Sequence, residues 1–268
     1  MEEATCCNDA QGTFLALYCL YFVIAVMTLH SSIVKPLRLL ATFVHEMSHA
    51  VMCWLTCGEV RGIEVYNNAG GVTKFVGGCR CLITAAGYLG EAFWGATFVI
   101  LSGGRKTATI AASTFIVALL ISLCYSPNRT MVYLNLSYAV FTSIFVALEW
   151  YVFTPLLAYV TLLYGVFLGV YAITDIWDHL VTRTVPGSDA YVAYEESRKL
   201  CPPKCIGISW MLLAIAYSLI GLWIGLILMS DECQDSGWFQ CIFSSKFDLD
   251  FPDLQHLFHT DNLFQWNH

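Results

Sequence analysis

Charged side chains are scarce in this sequence. Asp, Glu, Lys and Arg together make up 12% of its 268 residues, whereas soluble domains carry about 25%. Hydrophobic residues account for 57% of the chain, and its mean hydropathy is +0.64. This composition excludes an ordinary soluble domain and indicates a membrane protein. The twelve cysteines include no Cys-x-x-Cys pair, so they give no sign of a regular disulfide or metal framework.

Removable targeting signals and internal repeats are also lacking. No basic segment and small-residue cleavage site precede the first apolar run, so we expect no cleaved signal peptide. Apolar runs long enough to span a bilayer then follow one another and predict six or seven transmembrane helices. These runs lie at about 13–34, 36–57, 81–101, 107–124, 131–145, 154–173 and 208–229.

The predicted fold is therefore an all-α polytopic membrane protein in the lipid bilayer. We divide the chain into a polar N-terminal segment (1–12), a transmembrane bundle (13–229) and an acidic tail (230–268). A polar loop is expected at 174–205, with Ser188 or Asp189 at the N-cap of a short helix. The tail contains seven acids and one Lys, which accounts for −6 of the net charge of −7.

A β-hairpin is predicted at 58–78. The stretches 59–66 and 72–76 alternate apolar and polar residues, and Asn67-Asn68-Ala69-Gly70-Gly71 between them has turn composition. An open strand edge beside a metal centre can hold an extended peptide as an added strand, so the hairpin is our candidate substrate-binding element. A plain interfacial hairpin is the alternative.

An HExxH motif lies in the second apolar run, at His45-Glu46-Met47-Ser48-His49. Residues four apart on a helix share one face, so both imidazoles can bind one Zn²⁺ ion. Glu46 can take a proton from zinc-bound water. The alternative is two interfacial histidines and a snorkelling glutamate. We favour the zinc site, because such groups cost free energy in hydrocarbon unless they are paired or bind metal.

The third zinc ligand must be distant from the motif in sequence, because a catalytic site uses three protein ligands and a water. We expect Asp175, directly after the sixth run, with Asp178 as the fallback because it lies nearly a turn further toward water. An interfacial or capping cluster is the alternative there. His30, at the end of the first run, is a further ligand candidate. Glu91, in the third run, is a functional candidate because intramembrane carboxylates usually are, although pairing with an Arg or a backbone group would also explain it.

The orientation in the membrane stays open. Counting Lys and Arg between the predicted spans gives eight on the hairpin side and five on the other, which favours a cytosolic hairpin side. The Asn128-Arg129-Thr130 sequon lies on the same side and would have to be lumenal to be used.

Several motifs together carry a resemblance to a known family. The sequence resembles the site-2-protease-like intramembrane zinc metallopeptidases of the short, compact kind. The resemblance implies an intramembrane protease fold with His45 and His49 as ligands and Glu46 as the base. Larger relatives carry the third-ligand Asp in an Asp-Pro-Gly-like motif, which this chain replaces by Asp175-Ile176-Trp177-Asp178. The matching segments are Pro36 and Arg38, Phe43 to Ala50, Gly70-Gly71-Val72-Thr73, Gly77-Gly78, Ala86-Gly87-Tyr88-Leu89-Gly90, Asp175 to Asp178 and Ser188-Asp189-Ala190.

The expected function is hydrolysis of a peptide bond in or near the membrane by a multi-pass zinc metalloprotease. Its expected partners are the bilayer and a membrane-embedded or membrane-proximal peptide, with no nucleic acid. The aromatic residues of the tail suit a segment that binds a protein partner, and a disordered tail is the alternative. An inactive scaffold or regulator that keeps the fold to bind clients is the main functional alternative. A zinc sensor or transporter is a third, but too few polar residues cross the spans for transport.

Overall fold

The computed structural model describes residues 9–152, 155–183, 187–197 and 199–229. Over these residues the chain forms eight α-helices and one two-stranded antiparallel sheet, which confirms the predicted all-α fold with a single hairpin. The acidic tail and residues 1–8 lie outside the described residues, so the proposed division into segments stays a prediction. The elements are α1 (Asp9–Thr28), α2 (Lys35–Leu55), β1 (Glu59–Val65), β2 (Gly71–Val76), α3 (Arg80–Leu101), α4 (Arg105–Leu123), α5 (Arg129–Tyr151), α6 (Leu156–Ile176), α7 (Asp189–Glu196) and α8 (Pro203–Leu228).

Five helices of the described chain are long and apolar enough to cross a membrane, namely α1, α4, α5, α6 and α8. The chain is thus an integral membrane protein. Helices α2 and α3 have 21 and 22 residues, which at 1.5 Å per residue is also about the thickness of a hydrocarbon core. Both carry polar residues of the candidate site, which lowers their hydropathy. The total of six or seven spans remains a prediction.

Helix α6 extends further than the sequence predicts. The segment expected to be a loop from residue 174 remains helical to Ile176 and continues as a π-helical turn, Trp177–Val181. Ile176 and Leu180 are fully buried in a cluster that includes Trp210 of α8. Burial of these apolar side chains stabilises the extra turns against the cost of ordering them.

The hairpin packs on α2 and connects it to the loop between α4 and α5. The Ile63 amide of β1 donates to the Tyr125 carbonyl at 2.9 Å, and Asn128 Nδ2 donates to the Val65 carbonyl at 2.8 Å. Asn128 also caps α5 by accepting from the Met131 amide at 3.1 Å. The sequon asparagine therefore has a structural role in joining the hairpin to α5.

Strand β1 does not alternate as predicted. A register shift between Val60 and Gly62 places Ile63, Glu64 and Val65 all in buried positions, whereas β2 alternates between half-buried and exposed residues. The Glu64 carboxylate accepts hydrogen bonds from Lys74 and Tyr66. These contacts, chiefly the one from Lys74, lower the pKa of Glu64, so burial does not neutralise the carboxylate.

Helix α3 lies at the centre of the bundle and packs against α2, α6 and α8. Small residues on α3 permit close approach of its neighbours. A Cβ added at Gly90 would lie 2.5 Å from Ser48 Cβ of α2, and a Cβ added at Gly95 would lie 2.9 Å from the Gly169 amide nitrogen of α6. The absence of side chains at Gly90 and Gly95 therefore lets α2 and α6 pack closely against α3.

Candidate metal centre

The two motif histidines project from the same face of α2 toward α3. Their Nε2 atoms are 3.1 Å apart, and both side chains are largely buried. Helical spacing of four residues produces this pairing. Burial follows because α2 lies between the hairpin and α3.

Asp189 is the acid that meets the two histidines. Its Oδ2 atom lies 3.1 Å from His45 Nε2 and 3.3 Å from His49 Nε2. Asp189 is the first residue of α7, and Ser188 is the N-cap, since its hydroxyl accepts from the Tyr191 amide at 3.4 Å. Because Ser188 caps the helix, the Asp189 carboxylate is free to face α2. Ala190, fully buried in a cluster with Trp210 of α8, anchors this first turn.

The His49 ring has a defined tautomer. Its Nδ1 atom lies 2.6 Å from the Ile83 carbonyl oxygen, which can only accept, so Nδ1 carries the proton. In the neutral ring, Nε2 then has a free lone pair directed at His45 and Asp189. A lone pair, a second imidazole nitrogen and a carboxylate oxygen so close together require a shared cation or additional protons.

The donor set fits zinc. With zinc–ligand bonds of roughly 2.0–2.1 Å, neighbouring ligand atoms of a tetrahedral site lie about 3.3 Å apart. The three separations here are 3.1, 3.1 and 3.3 Å. Two neutral imidazoles and one carboxylate are also a usual catalytic zinc set, and they leave a fourth position for water. Within the described residues, His45, His49 and Asp189 form the one group of three metal-ligating side chains at this spacing.

Glu46 lies beside the three ligand residues and is held by the hairpin. Its side chain is buried, and one carboxylate oxygen is 2.7 Å from the Thr73 hydroxyl of β2. The same hydroxyl is 2.9 Å from the Glu46 carbonyl oxygen. A Cβ added at Gly71 would lie 2.6 Å from the Glu46 side chain, so glycine is needed there. The hairpin therefore fixes the position of this carboxylate.

Helix α3 closes the site on another side. A Cβ added at Gly87 would lie 2.5 Å from the Nε2 atoms of both His45 and His49. The Tyr88 ring packs edge-on against the His45 ring, with centroids 4.5 Å apart. The glycine leaves room beside the ligand atoms, and the tyrosine limits rotation of one ligand ring.

The other predicted ligand candidates are not part of this group of converging ligand atoms. The Asp175 carboxylate is 3.0 Å from His179 Nδ1, one turn further along the same helix. The main-chain carbonyl of Asp178 accepts from Thr182 Oγ1 at 2.7 Å, and His30 is exposed beyond the end of α1. The structure thus brings Asp189, rather than Asp175 or Asp178, to the histidines. Helix α6 continues past Asp175 into the π-helical turn, so this acid does not lie at the end of the helix, where the sequence places it.

The sequence predicts Ser188 or Asp189 as the N-cap of a short helix. It also indicates Ser188-Asp189-Ala190 as a motif shared with the family, but it does not indicate Asp189 as a ligand. Ser188 and Asp189 are adjacent, and only one of them can occupy the N-cap position. The presence of two capping-type residues therefore indicates that one of the two side chains can have a different role.

The fold and the grouped side chains define a class: integral membrane proteins with an HExxH helix and a potential His/His/Asp metal centre inside the bundle. A family model described as Peptidase M50B-like matches residues 18–221. The chain therefore belongs to this site-2-protease-like family, as the motifs predicted. Searches of curated proteins and of solved structures gave no significant match.

Proposed function

We propose that this protein is an intramembrane zinc metalloprotease in which His45, His49 and Asp189 bind the metal and Glu46 is the general base. One observation carries the proposal: three ligand atoms from α2 and α7 converge within 3.3 Å of one another beside a buried glutamate. Family membership supports the same chemistry.

Zinc, when bound, polarises the scissile carbonyl and lowers the pKa of its water toward about 7. Residues of the chain carry out the proton transfers and hold the reacting groups in place. Glu46 accepts the proton of the attacking water and then donates it to the leaving amine. Thr73 holds one oxygen of Glu46 by a hydrogen bond, so the carboxylate stays oriented during both transfers. His49 keeps its ring fixed through the Ile83 carbonyl.

The hairpin at 58–78 is the proposed substrate-binding element. The edge of β1 is occupied by the α4–α5 connection. Among the described residues, no backbone group bonds to the outer edge of β2. An extended peptide can add there as a third strand, next to Thr73 and Glu46. The substrate must be extended, because a helix hides its carbonyls in its own hydrogen bonds.

Comparison of wild type with Glu46→Gln tests the proposal. The two full-length proteins are purified in detergent, analysed for zinc, and incubated with a library of transmembrane peptides in liposomes whose products are read by mass spectrometry. We expect about one zinc per chain in both, and cleavage reduced by roughly 10²–10⁴-fold in the variant. Glu195→Gln is the matched control, since that acid lies outside the hairpin, is exposed on α7 and pairs with Lys199.

Two results would contradict the proposal: wild-type protein without zinc, or normal cleavage by Glu46→Gln. Zinc binding without cleavage of any peptide would instead support the non-catalytic regulator.

A further inference from the structure

Glu91 is a buried carboxyl that the proposed mechanism does not use. It lies on α3 with 0% of its surface exposed, and neither of its oxygens has a hydrogen-bond partner within the described structure. Such a group costs free energy inside a membrane bundle. His45 Nδ1 lies 3.8 Å from Glu91 Oε2.

The second ring nitrogen of His45 requires an acceptor at this place. If Nε2 binds a metal, Nδ1 must carry the proton, and a buried N–H needs a hydrogen-bond partner. For His49 the Ile83 carbonyl has this role, at 2.6 Å. For His45 the carboxylate oxygen of Glu91 faces the corresponding atom. The second nitrogens of the two rings thus face different groups, a hydrogen-bonded neutral carbonyl at His49 and a carboxyl 3.8 Å away at His45.

We propose that Glu91 is a positioning residue that holds the His45 ring, and its Nδ1–H tautomer, in the orientation that binds metal. The inference rests on the proposed zinc centre. A shift of about 1 Å brings the pair within hydrogen-bond distance. Carboxylates behind metal-bound histidines orient the ring and raise its basicity.

Direct ligation by Glu91 does not fit the geometry. Its Oε2 faces Nδ1, whereas Asp189 and His49 meet His45 at Nε2, on the other side of the ring. A purely structural role is the remaining alternative, and it predicts that removal of the carboxyl lowers the stability of the metal-free protein. The positioning role predicts no such loss, because replacement of a buried, unpartnered carboxyl by an apolar group of similar size removes a desolvation cost.

The test uses full-length Glu91→Leu and Glu91→Gln in detergent. Zinc affinity is measured by competition with a chelator, and thermal unfolding is measured on the metal-free proteins. We expect Glu91→Leu to bind zinc about 10–100-fold more weakly than wild type, while its metal-free melting temperature is unchanged or higher. Glu91→Gln keeps an oxygen that can accept from His45 Nδ1, so its zinc affinity should lie between those of wild type and Glu91→Leu.

Cobalt substitution adds a spectroscopic readout. The visible bands of Co²⁺ respond to ligand orientation, and we expect them to shift in Glu91→Gln. The matched control is Glu149→Gln. Glu149 is also buried, but it lies on α5, where it accepts from the Leu157 amide at 3.3 Å and lies 3.7 Å from Arg105. Its variant should keep the zinc affinity and cobalt spectrum of wild type.

Three outcomes would overturn the inference. Wild-type zinc affinity and an unchanged cobalt spectrum in both Glu91 variants would contradict the role of Glu91 and leave the proposed zinc centre standing. Lower metal-free stability in Glu91→Leu, with only a parallel loss of zinc, would make the residue structural. Wild-type protein that binds no zinc would overturn both the inference and the proposed function.

Discussion

At the residue scale, the centre depends on one carboxylate oxygen. Asp189 Oδ2 lies within 3.3 Å of both imidazole nitrogens, and no turn of α2 itself can supply an acid there. Its charge balances the positive charge that a metal or additional protons would bring into a buried site. Removal of this oxygen would leave two imidazole nitrogens facing each other with no carboxylate oxygen in contact with both.

Asp189 and Asp175 are two acids whose replacement should affect zinc binding differently. Asp189→Ala should weaken zinc binding by more than the roughly 10–100-fold typical of an outer-shell partner, because it deletes a ligand. Asp175→Ala should have a smaller effect, since that carboxylate pairs with His179. Zinc affinity of both full-length variants is measured by chelator competition. A larger loss in Asp175→Ala would restore Asp175 as the third ligand.

The pairing of His45 with His49 was predictable because it needs nothing beyond the geometry of one helix. The proximity of Asp189 to the two histidines was not, because it depends on which distant helix meets that face of α2. Depth in the membrane, judged from the end of the apolar run, favours Asp175. The burial of Ile176 and Leu180, which extends α6 past that residue, depends on tertiary contacts with α8 that the local sequence does not indicate.

At the element scale, the contact between α2 and α3 determines the space around the ligands. Gly87 and Gly90 are one turn apart on α3, and each faces α2 at a distance that excludes a methyl group. Gly87 faces the imidazole nitrogens, whereas Gly90 faces Ser48. The same helix contact therefore contains one position that touches the ligands and one that does not.

This pair gives a matched comparison. Gly87→Ala places a Cβ 2.5 Å from both Nε2 atoms, so the rings must move. We expect weaker zinc binding and activity lower by about 10²-fold, the cost of a displacement near 1 Å. Gly90→Ala makes an equally short contact with Ser48 and should cost about 1–3 kcal/mol of stability by overpacking, with zinc retained. Zinc content and melting temperature are measured for both. Equal zinc loss in the two variants would mean that the effect is general packing.

The hairpin was predictable as an element, because its turn composition and alternation are local. Its strand register and its pattern of burial were not predictable. The register shift at Val60–Gly62 and the burial of Glu64 depend on contacts with α2 and with Lys74 across the sheet. The hydrogen bond from Thr73 to Glu46 likewise joins segments 27 residues apart.

At the scale of the whole molecule, the metal would join α2 to α7, which are 144 residues apart at His45 and Asp189. Such a link stabilises the native bundle, because the unfolded chain does not preform the site. The link adds to the apolar contacts that already hold α7 against α3 and α8.

Zinc should therefore raise the melting temperature of wild-type protein, and a chelator should lower it. At a free zinc concentration 100 times the Kd, the stabilisation is about 2.7 kcal/mol. Thermal unfolding of the full-length protein in detergent, with and without zinc, measures the shift. Asp189→Ala should lose most of it and Asp175→Ala should keep it. An equal shift in both variants would mean that zinc acts at another site.

The separation of the ligands along the chain also sets an order of events during synthesis. When residues 1–188 have been synthesised, the HExxH helix, the hairpin and five other long helices are already part of the nascent chain. The nascent chain nevertheless holds two of the three proposed ligands. Hydrolysis by the proposed centre requires Asp189, so chains that stop before this residue would be inactive. Such incomplete chains would not cleave neighbouring membrane proteins during insertion.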